Sequence, residues 1–204
     1  MNTTNKIYLD IEEQDTNAMN PKRFNVWLFI VSIIMVFAAL TSGYIVRQGD
    51  ILKEWLVFDL PSLFYWSTGV ILLSSVTMHW AYISAKKNEI GQVKIGLWLT
   101  LALGFAFLYM QLKGWGQLVD AGVFFAGEKS NPAGSFVYVI SGLHGAHILA
   151  GLIFVVITLI KAMQSKVHSK NINTITMCMT FWHFLDILWV YLFFFFYFFK
   201  DGLN

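Results

Sequence analysis

The chain has 204 residues, of which 57% are hydrophobic and 13% charged, with a mean hydropathy of +0.60 and a formal net charge of +2. That composition supplies too little polar surface to wrap a water-soluble core of this size, so the chain reads as a membrane protein. The near-neutral charge gives nucleic-acid binding no support, and the single cysteine, Cys178, leaves no disulfide framework, paired-thiol motif or cysteine zinc site.

Residues 1–23 are polar and of mixed charge, with Asp10, Glu12, Glu13 and Asp15 set against Lys6, Lys22 and Arg23. They lack the basic n-region and small-residue cleavage site of a signal peptide and are expected to form a mostly disordered cytoplasmic tail ending at Pro21, just before helix entry. Residues 24–204 then read as a single all-α transmembrane domain, a bundle of five helices. Spans are expected at about 25–46, 63–85, 93–112, 136–160 and 174–199, each long enough for a hydrocarbon layer of roughly 30 Å. None of these spans contains proline, while Pro61 and Pro132 fall in the connections, so irregular backbone is kept out of the hydrocarbon.

The positive-inside rule orients the bundle. One side carries Lys6, Lys22, Arg23, Lys86, Lys87, Lys94, Lys161, Lys166 and Lys170, and the other only Arg47, Lys53, Lys113, Lys129 and Lys200. The N-terminus is therefore expected in the cytoplasm and the C-terminus outside. Trp27 and Trp98 then lie near the inner interface, and Trp55, Trp66 and Trp115 near the outer one.

Small residues recur at spacings of four: Ala38 with Ser42 and Ala39 with Gly43, then Gly96, Thr100 and Gly104, then Gly142, Ala146 and Ala150. Such stripes let helices pack closely where no hydrophobic drive operates between them. No internal repeat or helix broken at mid-span marks a transporter site. Gly127-Glu128-Lys129-Ser130 lacks the first glycine and the Gly-Lys pair of a phosphate loop, and neither a His-Glu-x-x-His nor a Gly-x-Ser-x-Gly motif occurs.

The polar groups expected within hydrocarbon are His79, Gln111, His144, His147, His183 and Asp186, the last being the only carboxylate in any span. Three readings are open for them: a structural polar network, ligation of a heme or metal by histidines, and a proton relay. A heme needs axial histidines from opposite faces, and a relay needs several acidic or hydrated groups in series, which one aspartate does not supply. An antiparallel hairpin of the last two helices levels His144 with Asp186 and His147 with His183, at about 1.5 Å rise per residue. The i, i+3 spacing puts each pair on one face, so His144, His147, His183 and Asp186 are expected to form two facing polar rungs, with Asp186 bonded to His144 or His147.

Two of these segments carry a family resemblance. Phe181-Trp-His-Phe-Leu-Asp-Ile-Leu-Trp189 resembles the C-terminal signature of heme-copper terminal oxidase subunit III, and Gly142-Leu-His-Gly-Ala-His-Ile-Leu-Ala-Gly151 resembles a second segment of that family at the right distance upstream. Leu73-Ser-Ser-Val-Thr77, Leu103-Gly-Phe-Ala-Phe107 leading to Gln111, and Trp27-Leu-Phe running to Tyr44-Ile-Val-Arg47 add to it, so the resemblance covers all five spans and points to the five-helix bacterial form. It implies a non-catalytic subunit of a respiratory oxidase that reduces oxygen to water, without cofactor or metal of its own. The hemes and copper belong to catalytic subunit I, the expected partner, with subunit II, a small subunit IV, phospholipid and a larger respiratory supercomplex as further partners. The implied roles are assembly, lipid binding and sustained proton uptake in a bacterial cytoplasmic (inner) membrane. Tyr44, Arg47, Trp182 and Trp189 are expected at lipid or subunit interfaces, and Gly142, Ala146, Ala150, Gly96 and Gly104 at helix contacts. The family's usual acid in the first of these helices is replaced here by Val31-Ser32-Ile33, and an acid three residues after Gln111 by Gly114. Competing readings are an accessory chain of a nitric oxide reductase, a small transporter and an independent b-type cytochrome.

Overall fold

The computed structural model describes residues 21–50, 58–127, 130–164 and 172–199. The expected tail before Pro21, Trp55, and Lys53, Lys129, Lys166, Lys170 and Lys200 of the charge count lie outside the described residues. Five helices are described: α1 (Pro21–Asp50), α2 (Ser62–Lys86), α3 (Ile90–Asp120), α4 (Pro132–Met163) and α5 (Asn173–Phe199). Each of these ranges contains the corresponding expected span.

The prolines mark beginnings. Pro21 already lies within α1 rather than before it, Pro61 immediately precedes α2, and Pro132 opens α4. At the first helical position a missing N–H costs no intrahelical bond. Asn131 caps α4, its side-chain oxygen accepting from the Ala133 N–H at 3.0 Å. The α2–α3 turn is made by Lys87, Asn88 and Glu89, with Asn88 at φ 61°, a left-handed position that asparagine tolerates.

Helices α2, α3, α4 and α5 pack in a ring in that order, closed by contact between α2 and α5. Helix α1 lies outside the ring across α4 and α5, with no comparable contact to α2 or α3. It runs parallel to α5: Arg23 donates to Asn173 at one end, Tyr191 donates to Thr41 further along, and Tyr44 and Gln48 donate to the Phe199 carbonyl at the other. The outward faces are apolar, with Met35, Trp66, Val76, Tyr109, Ile153 and Ile187 all exposed, as a lipid-facing surface requires.

Four of the helices are long and apolar enough to cross a membrane: Arg23–Gly49 of α1, and α3, α4 and α5. Helix α2 has the length but carries Ser67, Thr68, Ser74, Ser75, Thr77, His79 and Ser84, which lower its hydropathy.

The expected small-residue stripes divide. A Cβ at Gly96 would stand 2.8 Å from Ala81 Cβ and 3.1 Å from the Thr77 carbonyl, and one at Gly104 would stand 2.6 Å from Leu152 Cδ2 and 2.9 Å from Trp182 Cη2. Both glycines admit a neighbouring helix that any side chain would push away. Gly142 meets Trp115 only at an ordinary 3.5 Å, and Ala146 and Ala150 are exposed. The face that α4 buries is instead Val137, Ser141, His144, Ile148, Gly151 and Val155. It lies one residue round the helix, about 100° away, because its larger side chains fill the seams against α3 and α5 and turn the Gly142 stripe outward.

Gly96→Val is expected to destabilise the purified protein in mild detergent by about 1–3 kcal/mol, the usual cost of overpacking. Ala146→Val should stay within about 0.5 kcal/mol, as an exposed substitution does. Unfolding midpoints followed by circular dichroism check both, and equal losses would contradict this assignment of contacts.

Candidate functional site

The polar residues of the bundle meet along the seam between α2 and α5. The Trp182 indole N–H donates to Ser74 Oγ at 3.0 Å and that of Trp189 to Thr68 Oγ1 at 3.0 Å. Each hydroxyl in turn donates within its own helix, Ser74 to the Ile71 carbonyl and Thr68 to the Phe64 carbonyl. A hydroxyl has one proton and two lone pairs, so it can satisfy its own donor locally and still receive an indole from the next helix. Both hydroxyls and both tryptophans sit about two turns apart along their helices, and the pairs step in opposite directions, as antiparallel neighbours do.

The same device recurs elsewhere. Gln111 Nε2 donates to Ser67 Oγ, Trp115 Nε1 to Ser141 Oγ, and Tyr191 Oη to Thr41 Oγ1, each hydroxyl donating to a carbonyl of its own helix. Thr77 and Thr100 share a bond of 2.8 Å between α2 and α3. Sequence reading noticed Gln111 and the Leu73–Thr77 segment but assigned these hydroxyls no part. The available signal was spacing: Ser67 and Ser74, like Thr68 and Ser75, repeat every seven residues, as Trp182 and Trp189 do.

The two expected polar rungs do not form as drawn. His144 is fully buried, neither ring nitrogen has a hydrogen-bond partner within the chain, and its ring lies against Trp189 at 5.1 Å between centroids, with Phe107 and Phe37 edge-on. His147 donates through Nδ1 to the Leu143 carbonyl of its own helix at 2.7 Å. The Asp186 carboxylate is buried with neither oxygen hydrogen-bonded within the chain. Its nearest imidazole nitrogen is His183 Nδ1, at 4.0 Å on the same helix. The Ser75 hydroxyl bonds that imidazole. The physical reason is register. Gly151 lets α4 close on Leu185 and Trp182, which levels His144 with Trp189, one turn from the expected Asp186.

Tyr44, Trp182 and Trp189, expected at lipid or subunit interfaces, are instead buried within the bundle. Tyr44 lies between the rings of Phe136 and Phe195, where it clamps α1 to α4 and α5. Arg47 is exposed, beside a groove of about 660 Å³ lined by Ala39, Ser42, Gly43, Val46, Pro132 and Phe136. Gly114 has no room for an acid, since a Cβ there would stand 2.7 Å from Phe64 Cε1, and Ile33 is buried in the apolar core. Among the described residues no three His, Cys, Asp or Glu side chains converge as a metal site would require.

A family model described as cytochrome c oxidase subunit III matches residues 11–201 of the chain. The chain belongs to this family. It is 32% identical over 176 residues to the cytochrome bo(3) ubiquinol oxidase subunit 3 of Pseudomonas aeruginosa, covering 83% of this chain and 81% of that protein. It is 30% identical over 186 residues to the protein of the same name from Buchnera aphidicola, covering 87% and 94%. The cytochrome c oxidase subunit 3 of Alkalihalophilus pseudofirmus is 29% identical over 169 residues, covering 82% and 81%. The chain is thus a multi-pass membrane protein, a subunit III of a respiratory heme-copper oxidase, associated with other subunits of that complex. The two segments that carried the resemblance are the ones whose tryptophans and histidines meet at the α4–α5 and α2–α5 seams.

A double-mutant cycle on Ser74→Ala and Trp182→Phe should return a coupling of about 0.6–2 kcal/mol, the range for hydrogen bonds inside membranes. The cycle on His144→Leu and Asp186→Ala should return less than about 0.5 kcal/mol, as groups without a shared bond do. Both are read from unfolding of the purified protein in detergent, and a large second coupling would restore the rung.

Proposed function

We propose that the chain is the non-catalytic subunit III of a bacterial terminal oxidase, docked on the catalytic subunit that holds the hemes and copper. In this reading it forms one domain over residues 24–204 in the cytoplasmic membrane, with the N-terminus inside and the C-terminus outside. What supports that orientation is the excess of Lys and Arg on one side of the spans. Helix α2 counts as the fifth span. Its 25 residues reach about 37 Å, and its polar hydroxyls are turned to α3 and α5 instead of lipid.

The observation that carries the proposal is the use made of the two signature segments. Trp182, Trp189 and His144 are spent on helix packing, while His183 and Asp186 lie with Ser75 on the α2–α5 seam. Subunit I is the partner of first rank, with subunit II, a small subunit IV and a respiratory supercomplex beyond it. The groove beside Arg47 suits a phospholipid, its small residues admitting acyl chains while the guanidinium meets the headgroup. Support of turnover and proton uptake then comes from holding the catalytic subunit in its lipid surroundings.

Purification of the tagged chain in mild detergent should bring heme and copper with it, read by optical spectra and metal analysis, and recovery of the chain without either would contradict the proposal. Deleting the gene should leave heme and copper in the catalytic subunit while the oxidase loses activity faster during turnover, measured as oxygen consumption over successive cycles. Carbodiimide treatment should leave the segment of α1 around Ile33 unmodified, since Ile33 stands where the family carries an acid, and peptide mapping of the treated chain checks this.

A further inference from the structure

On the outer side of α2 and α5 lies a groove of about 440 Å³, lined by Ser75, Val76, His79, Trp80, Ile83 and His183. Its polar groups form a short connected set. Ser75 Oγ shares a hydrogen bond with His183 Nδ1, and the imidazoles of His79 and His183 stand 5.9 Å apart between centroids. Behind them is the Asp186 carboxylate, 2% exposed and unbonded within the chain, with Oδ2 at 4.0 Å from His183 Nδ1. His79 is exposed, and the His183 side chain is 27% exposed with Nδ1 committed to Ser75, which leaves Nε2 for an outside partner.

Depth excludes the easy occupants. His79 lies about 10 Å along α2 from its end at Lys86, and His183 about 15 Å along α5 from its start at Asn173. A hydrocarbon layer of roughly 30 Å centred on these helices begins within about one turn of their ends. Both rings therefore sit at the level of acyl chains, which offer no hydrogen bond, and an imidazole is too short to reach the headgroups as a lysine can. The groove on the other flank of α5, lined by Ile34, Phe37, Ala38, Phe184, Ile187 and Leu188, is of the kind that acyl chains fill unaided.

We infer that the α2–α5 face is the docking surface for a transmembrane helix of another oxidase subunit, which presents a neutral hydrogen-bonding side chain such as Ser, Thr, Asn, Gln or Tyr to His79 and His183. A neutral partner fits because a charged one would have to leave water for a low-dielectric site where the groups facing the groove are imidazoles and the Asp186 carboxyl is 2% exposed behind them. The inference rests on the proposed assembly with the oxidase and adds the face and the chemistry of the contact. Trp80 and Val76 supply the apolar walls that exclude lipid around the polar centre, as neighbours of a buried contact do.

The test places a benzophenone side chain at Val76, which is 64% exposed in the groove, within the intact oxidase in its membrane, and compares it with Ile153 on α4 and Phe105 on α3, exposed at 62% and 54%. Irradiation should join Val76 to one other oxidase polypeptide, at least fivefold more than either control position. Combining His79→Leu with His183→Leu should cut that yield at least fivefold, and His79→Gln with His183→Gln should recover most of it, since the amides keep hydrogen bonding. Adducts at Val76 with lipid alone or with a second copy of this chain would overturn the inference, as would an oxidase adduct at a control position instead. An oxidase adduct at Val76 that the leucines leave unchanged would overturn the hydrogen-bonded contact. Should heme and copper fail to accompany the chain at all, the proposed assembly falls too, whereas their retention with a cross-link elsewhere defeats only the assignment of this face.

Discussion

The structure depends on how buried donors are satisfied where neither water nor backbone is available. Every α-helix consumes its own amides and carbonyls, so the indole N–H of a tryptophan turned into the bundle has nothing to donate to unless a side chain provides it. Here the provider is a hydroxyl whose proton is already committed to a carbonyl one turn back on its own helix: Ser74 for Trp182, Thr68 for Trp189 and Ser141 for Trp115. The arrangement costs the receiving helix nothing in unsatisfied groups and fixes both rotation and register, because a shift of one turn would strand the indoles. It also explains why α2, alone of the five described helices, lacks a stretch apolar enough to mark it as a membrane span. Its hydroxyls face α3 and α5, and the ring closes through them.

Close approach is the second half of the same constraint. Hydroxyls and indoles reach one another only if the helices come near, and glycine determines where they do. Gly104 receives Leu152 and Trp182, and Gly151 receives Leu185 and Trp182, so the large Trp182 ring is seated between two helices by the absence of two side chains. That seating sets the α4–α5 register, moves His144 beneath Trp189, and leaves Asp186 beside His183 and Ser75. The polar set is therefore a consequence of packing around Trp182, and its partner on the far side is α2 rather than α4.

Helix α1 stands apart from this logic. It packs against α4 and α5, holds them through aromatic contacts of Phe29, Phe37 and Tyr44 and through buried Ile30, Ile33 and Thr41, and exposes its opposite face. Grooves therefore flank it on both sides, one beside Arg47 and one between Phe37 and Ile187, while the α2–α5 face carries the groove that holds His79 and His183. In the proposed assembly the first two take lipid and the third takes a helix of another subunit.

The all-helical class and the family were legible in the sequence, because hydrophobic run length and two dense motifs are local properties that survive any packing. Gly96 and Gly104 were legible as contact points for a similar reason: a small residue in an apolar stripe is useful mainly where another helix arrives. The rotation of α4 was not legible, since the Gly142 stripe and the Ser141 face are one residue apart and both look compatible with contact. Neither was the pairing of Asp186, because depth counted from predicted ends carries an error of about a turn, and a turn is the whole difference between His144 and Trp189. The sequence by itself determined which side chains had to find partners inside a membrane. Only the tertiary structure decided which partners they found, because that choice follows from glycine gaps on helices far apart in the chain.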